Sequence, residues 1–367
     1  MTAPRVSVLM PVRNGRAFLR EALDSLRRQT FRDFEVLVLD DGSTDGSQEI
    51  AAAFHDPRIR LIQQGEHCGL VATLNRGLGL VRGEFIARQD ADDRSDPRRL
   101  DCQIRFLDRH PSVALVGTQA HVIDTEGRRV GVLARSLEPV SIRWYHLFDN
   151  AFIHSSVMLR RRALQEAGGA YEPLAHCEDY ALWSAVALAR PVANLPERLV
   201  DYRSHAGSVY GGLTEAQAED AASANRVIIR RNLAALFGAS TWADRDVELL
   251  ARFRTGLDAA RLEAFLALFR RLLREYGTRH PDAMRSRDFH RTVARQYDDL
   301  AYKLMPSTRR GTARVFGEAL RHDPWVAGSL SWSRAAALLL LGKAGRARLR
   351  ARWSPALAGL QDSWSPS

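Results

Sequence analysis

The strongest constraint on the fold is an alternation in the first hundred residues, where short apolar runs and stretches of helical periodicity follow one another four times. Val6–Met10 is a buried-strand run that Pro11 is expected to end, and Phe18, Leu19, Ala22, Leu23 and Leu26 then recur at helical spacing. Phe34–Leu39 reads as a second strand. The loop Asp40-Asp-Gly-Ser-Thr-Asp-Gly46 follows, with Ser43 or Thr44 placed to cap a helix reaching about Phe54. Ile59–Ile62 reads as a third strand, and residues 70–81 as a helix ahead of Gly83. Glu84–Ala87 is a fourth strand running into Arg88-Gln-Asp-Ala-Asp-Asp93, followed by a helix from Pro97 to about Asp108 and a fifth strand at Val113–Val116. Repeated strand-then-helix units predict an α/β fold, a mostly parallel sheet with helices on both faces. Such sheets bind ligands beyond the carboxyl ends of their strands, near the switch in strand order. The acidic pairs Asp40-Asp41 and Asp90/Asp92 both fall at strand ends of this kind.

Beyond residue 120 the alternation loosens. Residues 121–130 suggest a hairpin around Glu126-Gly127, and 140–148 a helix. Then come the segment Ile153-His-Ser-Ser-Val-Met-Leu159, a Gly168-Gly169 break, a helix starting near Cys177, and the segment Val200-Asp-Tyr-Arg-Ser-His205. After Gly211-Gly212 the composition turns to Ala, Leu and Arg with helical periodicity over 216–237, 243–275, 286–304, 309–322 and 333–351. The expected division is therefore a catalytic-type α/β domain over 1–212 and a mainly α-helical region with a basic tail over 213–367.

Charge is unevenly placed. The chain is 46% hydrophobic and 26% charged with a net charge of +10, a globular composition. The first hundred residues hold fifteen Arg and fifteen acidic residues, whereas 301–367 carry eleven Lys and Arg against Glu318, Asp323 and Asp362. The excess belongs to the tail, and the neutral α/β half gives no nucleic-acid footprint. Arg346–Trp353 interleaves Arg with Leu and Trp, which suits either a helix resting on an anionic membrane or a solvated basic face. Three scattered cysteines exclude a disulfide framework or zinc finger and point to a reducing compartment. The first residues lack a signal-peptide pattern, and the longest aliphatic run, Ala335–Leu341, is too short to span a bilayer.

Asp90 and Asp92 follow an apolar strand, so they present two carboxylates at its end. Mg²⁺ or Mn²⁺ is commonly held by one or two carboxylates together with substrate phosphates. Asp244-Arg245-Asp246 has the same spacing but sits in a helical stretch, where it reads as a solvated face or an N-terminal turn. Asp41 can accept from a nucleobase imide or ribose hydroxyl, and Pro11-Val12-Arg13-Asn14-Gly15 closes one side of such a pocket. Glu178-Asp179 is a third acidic pair at a helix start, where a carboxylate can act as general base and a like-charged neighbour raises its pKa.

In this order the motifs resemble glycosyltransferase family 2, the inverting transferases of the GT-A fold. The resemblance runs through Val6–Gly15, Phe34–Asp45, Leu74-Asn-Arg-Gly77, Gly83–Asp93 with Pro97 and Leu100, His154–Met158, Glu178–Trp183 and Tyr202-Arg-Ser-His205, covering about residues 4–210. It implies a nucleoside-diphosphate sugar donor, UDP-linked in preference to dTDP-linked, bound around Pro11, Val12, Arg13, Asn14, Asp41, Asn75, Arg88, Asp90 and Ala91. It implies Mn²⁺ or Mg²⁺ on Asp92, with Asp90 on the ribose or a metal water, and Asp179 as base with Glu178 beside it. His205 is either a ligand near metal and diphosphate or a plain loop histidine. Arg88 and Arg203 either contact phosphate or pair with acids of the site, and His154 lines the acceptor side or is a core histidine. Val12-Arg13 departs from the family, which often has an aromatic before the Asn, and Cys68 departs from its small or polar residues. The implied reaction is a single displacement onto an acceptor hydroxyl of a glycan or lipid-linked acceptor in envelope or surface polysaccharide synthesis. It would take place in the cytoplasm, at the inner face of the membrane if the tail over 333–353 binds there, and oligomers are compatible with it. The alternatives are a nucleotidyltransferase on a similar sheet and a catalytically inactive glycan-binding relative.

Overall fold

The computed structural model describes residues 3–174, 176–205, 214–238, 242–255, 259–304 and 309–323. In chain order the first elements are β1 (Val6–Val12), α1 (Leu19–Arg27), β2 (Phe34–Asp40), α2 (Ser47–Ala52), β3 (Ile59–Gln63), α3 (Leu70–Leu78), β4 (Phe85–Arg88), β5 (Arg94–Ser95) and α4 (Arg99–Arg109). They continue through β6 (Leu115–Ile123), β7 (Arg129–Leu133), α5 (Pro139–Tyr145), β8 (Met158–Arg160), α6 (Arg161–Glu166), α7 (Glu178–Ala189) and β9 (Val192–Arg203). The helices α8 (Glu215–Phe237), α9 (Asp244–Thr255), α10 (Ala259–Arg279), α11 (Arg287–Leu304) and α12 (Arg309–His322) follow.

The chain forms two compact units, one of residues 1–135 with 152–208 and the other of 136–151 with the chain from 209 onward. The composition gave no sign that 136–151, including α5, belongs with the helical unit.

The first unit is built on a nine-stranded sheet in the order β3-β2-β1-β4-β8-β6-β9-β5, with β7 on β6. The strands of the first ninety residues pair in parallel, as their helical crossovers require. Farther along the sheet is mixed: β8 is antiparallel to β4 and β6, while β9 is parallel to β6. Both faces are covered. Val6, Val8 and Met10 of β1 join Leu19, Leu23 and Leu26 of α1 and Leu100, Ile104 and Leu107 of α4 in one core cluster. On the other face Gly77 of α3 rests so close to Leu9 and Leu39 that a Cβ there would collide with both side chains. This two-sided burial is why the strands read as continuous apolar runs rather than alternating ones.

Local boundaries depart from the sequence expectation in informative ways. Pro11 does not end the first strand, which continues to Val12 with Pro11 opposite Leu39. Pairing with β4 stops at Leu9, so Pro11 has a strand on one side only and its missing N–H is tolerated. Neither Ser43 nor Thr44 caps α2, which starts at Ser47 behind Gly46. The fifth strand and the first arm of the hairpin are one strand, β6.

The helical unit is organised around a cluster that includes Trp144, Phe148, Phe265, Phe269, Tyr276, Phe289 and Tyr297. Thr214 and Gln217 form a reciprocal capping box at the start of α8. The single helix expected over 243–275 is described as α9 and α10, and Asp244 and Asp246 lie in the first turn of α9. Residues 333–353, to which membrane contact was attached, lie outside the described residues. No described helix is long and apolar enough to cross a membrane.

Candidate active site

The carboxyl ends of β1, β2 and β4 lie side by side because β1 sits between the other two, and the chain reverses its winding direction there. Loops after these strands therefore converge. After β1, Asn14 adopts a left-handed conformation with φ of 50°. Its N–H donates to Ser43 Oγ at 3.0 Å, and its side-chain oxygen accepts from Thr44 N–H at 2.9 Å. These bonds take up the two hydroxyl residues expected to cap α2, and they lock the first loop to the second. Val12 is a core side chain whose carbonyl accepts from Asp41 N–H at 2.9 Å. Ala91, in the loop after β4, packs partly buried against the same core.

Asp41 is buried, and its carboxylate is engaged by the segment between β3 and α3. Oδ1 accepts from Cys68 N–H at 2.7 Å, and Oδ2 from Gly69 N–H at 3.1 Å and His67 Nδ1 at 2.8 Å. His67 Nε2 in turn lies 2.8 Å from an Arg13 guanidinium nitrogen.

The loop after β4 rests on buried polar groups. Arg88 is fully buried. Its nitrogens donate to Leu9 and Gln89 carbonyls, to His154 Nε2 at 2.9 Å and to Asp90 Oδ1 at 2.5 Å. Arg88 is thus an acid-pairing residue of the site, the second of its two readings. The other Asp90 oxygen accepts from Ser155 Oγ at 2.5 Å. Burial alone would raise the Asp90 pKa, but Arg88, His154 and Ser155 outweigh it and hold the carboxyl down at about 2. Burial and then Arg88 push His154 down to about 3, so it is a neutral, hydrogen-bonded core histidine. Beneath the loop, Gln89 donates to the Asp90 and Asp93 carbonyls and accepts from Ser95 and Arg99. Burial, then Arg88, brings the Arg99 guanidinium down to about 9.

Asp92 faces the end of β9. Its Oδ2 lies 3.0 Å from His205 Nε2, and both side chains are partly exposed. Arg203, whose side chain is fully buried, fastens this corner. It donates to the Asp92 carbonyl at 2.8 Å, to the Asp124 and Thr125 carbonyls at 3.0 and 3.1 Å and to Glu21 at 2.7 Å. Its guanidinium lies 4.4 Å from the centre of the Phe18 ring, and Phe18 also meets the His205 ring. Every nitrogen of its guanidinium is committed to the protein, so Arg203 too pairs within the site.

Glu178 and Asp179 occupy the first turn of α7, both largely buried. Burial, then the neighbouring Asp179 charge, pushes the Glu178 carboxyl up to about 7, with Arg88 opposing and Asp90 adding to the rise. Two acidic motifs more than eighty residues apart in sequence are therefore electrostatic neighbours in space. Tyr171 is buried within reach of the same four charges. Asn75 of α3 holds the Tyr171 backbone at both ends, donating to its carbonyl at 3.0 Å and accepting from its N–H at 2.8 Å.

Gln89, Arg99, Ser155 and His67 escaped the sequence reading. They are single polar residues whose partners come from distant strands, and only Gln89 carried a local hint through its place inside the acidic motif. No described group of three or more His, Cys, Asp or Glu forms a closed metal cage. Asp92 and His205 instead form a partly exposed carboxylate–imidazole pair.

Comparison with known proteins agrees with this architecture. The family model described as "Glycosyl transferase family 2" matches residues 7–168. The putative glycosyltransferase EpsE of Bacillus subtilis (strain 168) is 37% identical over 187 residues, covering 50% of this chain and 66% of EpsE, just under two thirds of its length. The amylovoran biosynthesis glycosyltransferase AmsE of Erwinia amylovora is 31% identical over 189 residues, covering 51% of this chain and 70% of AmsE. Among solved structures, S. aureus TarS 1–349 in complex with UDP-GlcNAc has a TM-score of 0.54 at 16% identity, covering 88% of this chain and 91% of that one, which shows a shared fold. Parallel strands with carboxylates at their adjoining ends, a third acidic pair beside them and a relative matched over most of its length lead to one assignment: this chain belongs to glycosyl transferase family 2.

Proposed function

We propose that the chain transfers a sugar, with inversion, from a nucleoside diphosphate donor to a hydroxyl of a glycan or lipid-linked acceptor in surface polysaccharide synthesis. The observation that carries this reading is the electrostatic coupling of Glu178 with Asp179, Asp90 and Arg88 at one sheet edge. It brings a base-type carboxylate pair next to the loop that would hold a diphosphate. AmsE is named for amylovoran biosynthesis and TarS was solved with UDP-GlcNAc, which supports a UDP-sugar and a polysaccharide product.

Asp179 is the proposed base, accepting the acceptor hydroxyl's proton as the oxygen attacks the anomeric carbon. Glu178, with its raised pKa, is protonated in part near neutrality and so limits the negative charge beside Asp179. Asp90, kept ionised by Arg88 and Ser155, is fixed in orientation and suits a ribose hydroxyl or a metal-bound water. Asp92 and His205 would hold the divalent cation, and an imidazole beside a carboxylate suits Mn²⁺ better than oxygen-seeking Mg²⁺. When bound, the cation offsets the charge that develops on the departing diphosphate.

The test is release of nucleoside diphosphate from a panel of UDP-, dTDP- and GDP-sugars with Mn²⁺, comparing wild type with Asp92→Ala and Asp179→Ala. Release by the wild type alone is expected. Release that survived both substitutions would overturn the site.

A further inference from the structure

The sheet of the first unit ends at β5, a two-residue edge strand that pairs with β9 so that Arg94 is opposite Asp201 and Ser95 opposite Val200. The residues after α1 are tied to the same edge. Gln29 donates to the Asp96 carbonyl at 2.7 Å, and Thr30 N–H donates to the Pro97 carbonyl at 2.8 Å. A cavity of about 210 Å³ opens here, and Arg28, Arg94, Arg129 and Arg198 all line it, with Asp96 and Asp201 as its acids. The donor, cation and base residues assigned above are not part of its lining.

Its charges do not balance. Asp201 divides itself between two guanidinia, with Oδ2 at 3.1 Å from Arg94 and Oδ1 at 3.3 Å from Arg129. Asp96 is bonded to Arg98, which does not line the cavity. Arg28 and Arg198 are exposed, and among the described residues their side chains make no hydrogen bond or ion pair. His121 of β6, paired with Asp201 in the sheet, feels the surplus: burial and then Arg129 push its imidazole down, Arg198 adds to this, and Asp201 opposes it. Arg129 and Arg198 therefore stand within electrostatic reach of one ring.

Guanidinia that share one concave wall repel one another, and an anion seated among them removes that repulsion. Their planar forks of donors match the oxygens of a phosphate. Four guanidinia against two carboxylates leave two positive charges, and a phosphate monoester carries about −1.5 to −2 near neutrality. The volume equals that of about seven waters at roughly 30 Å³ each, room for the phosphate and part of the group it esterifies.

We propose that this cavity is an oxyanion site outside the catalytic centre, taking a phosphate monoester on Arg28 and Arg198 against the wall that Asp201 builds from Arg94 and Arg129. Two carriers supply that dianion, a free sugar phosphate and a phosphate headgroup on a membrane surface. The site stands independently of the sugar transfer proposed above.

Calorimetry on the full chain in EDTA measures binding of inorganic phosphate and of glucose 1-phosphate, and flotation measures capture by phosphatidylcholine vesicles with and without phosphatidic acid. Saturable phosphate binding is expected, weakened about tenfold by Arg28→Ala and by Arg198→Ala. Arg162→Ala, which removes an exposed charge on α6 outside the cavity, should leave it unchanged. Unchanged urea unfolding of the two cavity variants verifies that they fold. Capture by phosphatidic acid vesicles that both cavity substitutions abolish assigns the site to a membrane-borne phosphate. Tighter binding of glucose 1-phosphate than of phosphate, without such capture, assigns it to a free ester, and either result upholds the site. Absence of saturable phosphate binding, indifference to both cavity substitutions, or an equal loss with Arg162→Ala would overturn it.

Discussion

Glu178 offers the sharpest quantitative test of the site's electrostatics. In the folded chain burial and the Asp179 charge raise its pKa to about 7 from an ordinary 4.5. The folded state therefore holds this proton more tightly than the unfolded chain. Between those two values folded protein binds more protons, so stability falls as pH rises, with the contribution complete below about 4.5 and gone above about 7. At 1.36 kcal/mol for each tenfold change in proton affinity, the ionised side chain costs about 3 kcal/mol at pH 8. Glu178→Gln keeps the shape of the protonated acid and cannot ionise. Urea unfolding of both proteins from pH 5 to pH 8.5 should show nearly equal stability at the acid end. At pH 8 the variant should be more stable by about 3 kcal/mol. Titrating groups distant from Glu178 are common to both proteins and cancel in the difference, whereas relief of Asp179 from its charged neighbour contributes to the gain of the variant at high pH. A difference that stayed constant with pH, or that favoured the wild type at pH 8, would refute the account of a buried acidic pair.

Three further outcomes follow from the same geometry. Arg203→Met removes the guanidinium that satisfies the Asp92, Asp124 and Thr125 carbonyls and pairs with Glu21, and urea unfolding should show a loss of about 3–5 kcal/mol. Asn75→Ala cuts both bonds to the Tyr171 backbone; it should cost about 1–3 kcal/mol and speed proteolytic nicking near residue 171, with Asn75→Asp falling between variant and wild type because it keeps the acceptor. At Gly83 an added Cβ would sit 2.6 Å from Ser7 N and 2.9 Å from the Val6 carbonyl carbon, backbone atoms that cannot step aside, so Gly83→Ala should lower stability by about 1–3 kcal/mol in a thermal or urea melt.

Sequence alone determined the class of fold and the identity of the acidic groups. Parallel strands buried on both faces must be apolar throughout, and their crossovers must be amphipathic, so the periodicity of the first hundred residues leaves few other architectures. It also placed Asp41 and the 90–93 loop at strand ends, because polarity returns where a buried strand emerges. What the sequence left open was which of two roles Arg88, Arg203 and His154 take. Each is polar at a site-forming position, and only the tertiary structure showed every nitrogen of both guanidinia bonded to protein groups, and His154 Nε2 accepting from Arg88. The same holds for residues 136–151, whose helical pattern was visible but whose place in the helical unit depends on packing Trp144 and Phe148 among side chains more than eighty residues away. Periodicity is a property of neighbours along the chain. The partner of a buried charge, or of an aromatic ring, is set by whichever distant segment the fold brings within a few ångströms, and for Asp41 that segment carried His67 and, through it, Arg13.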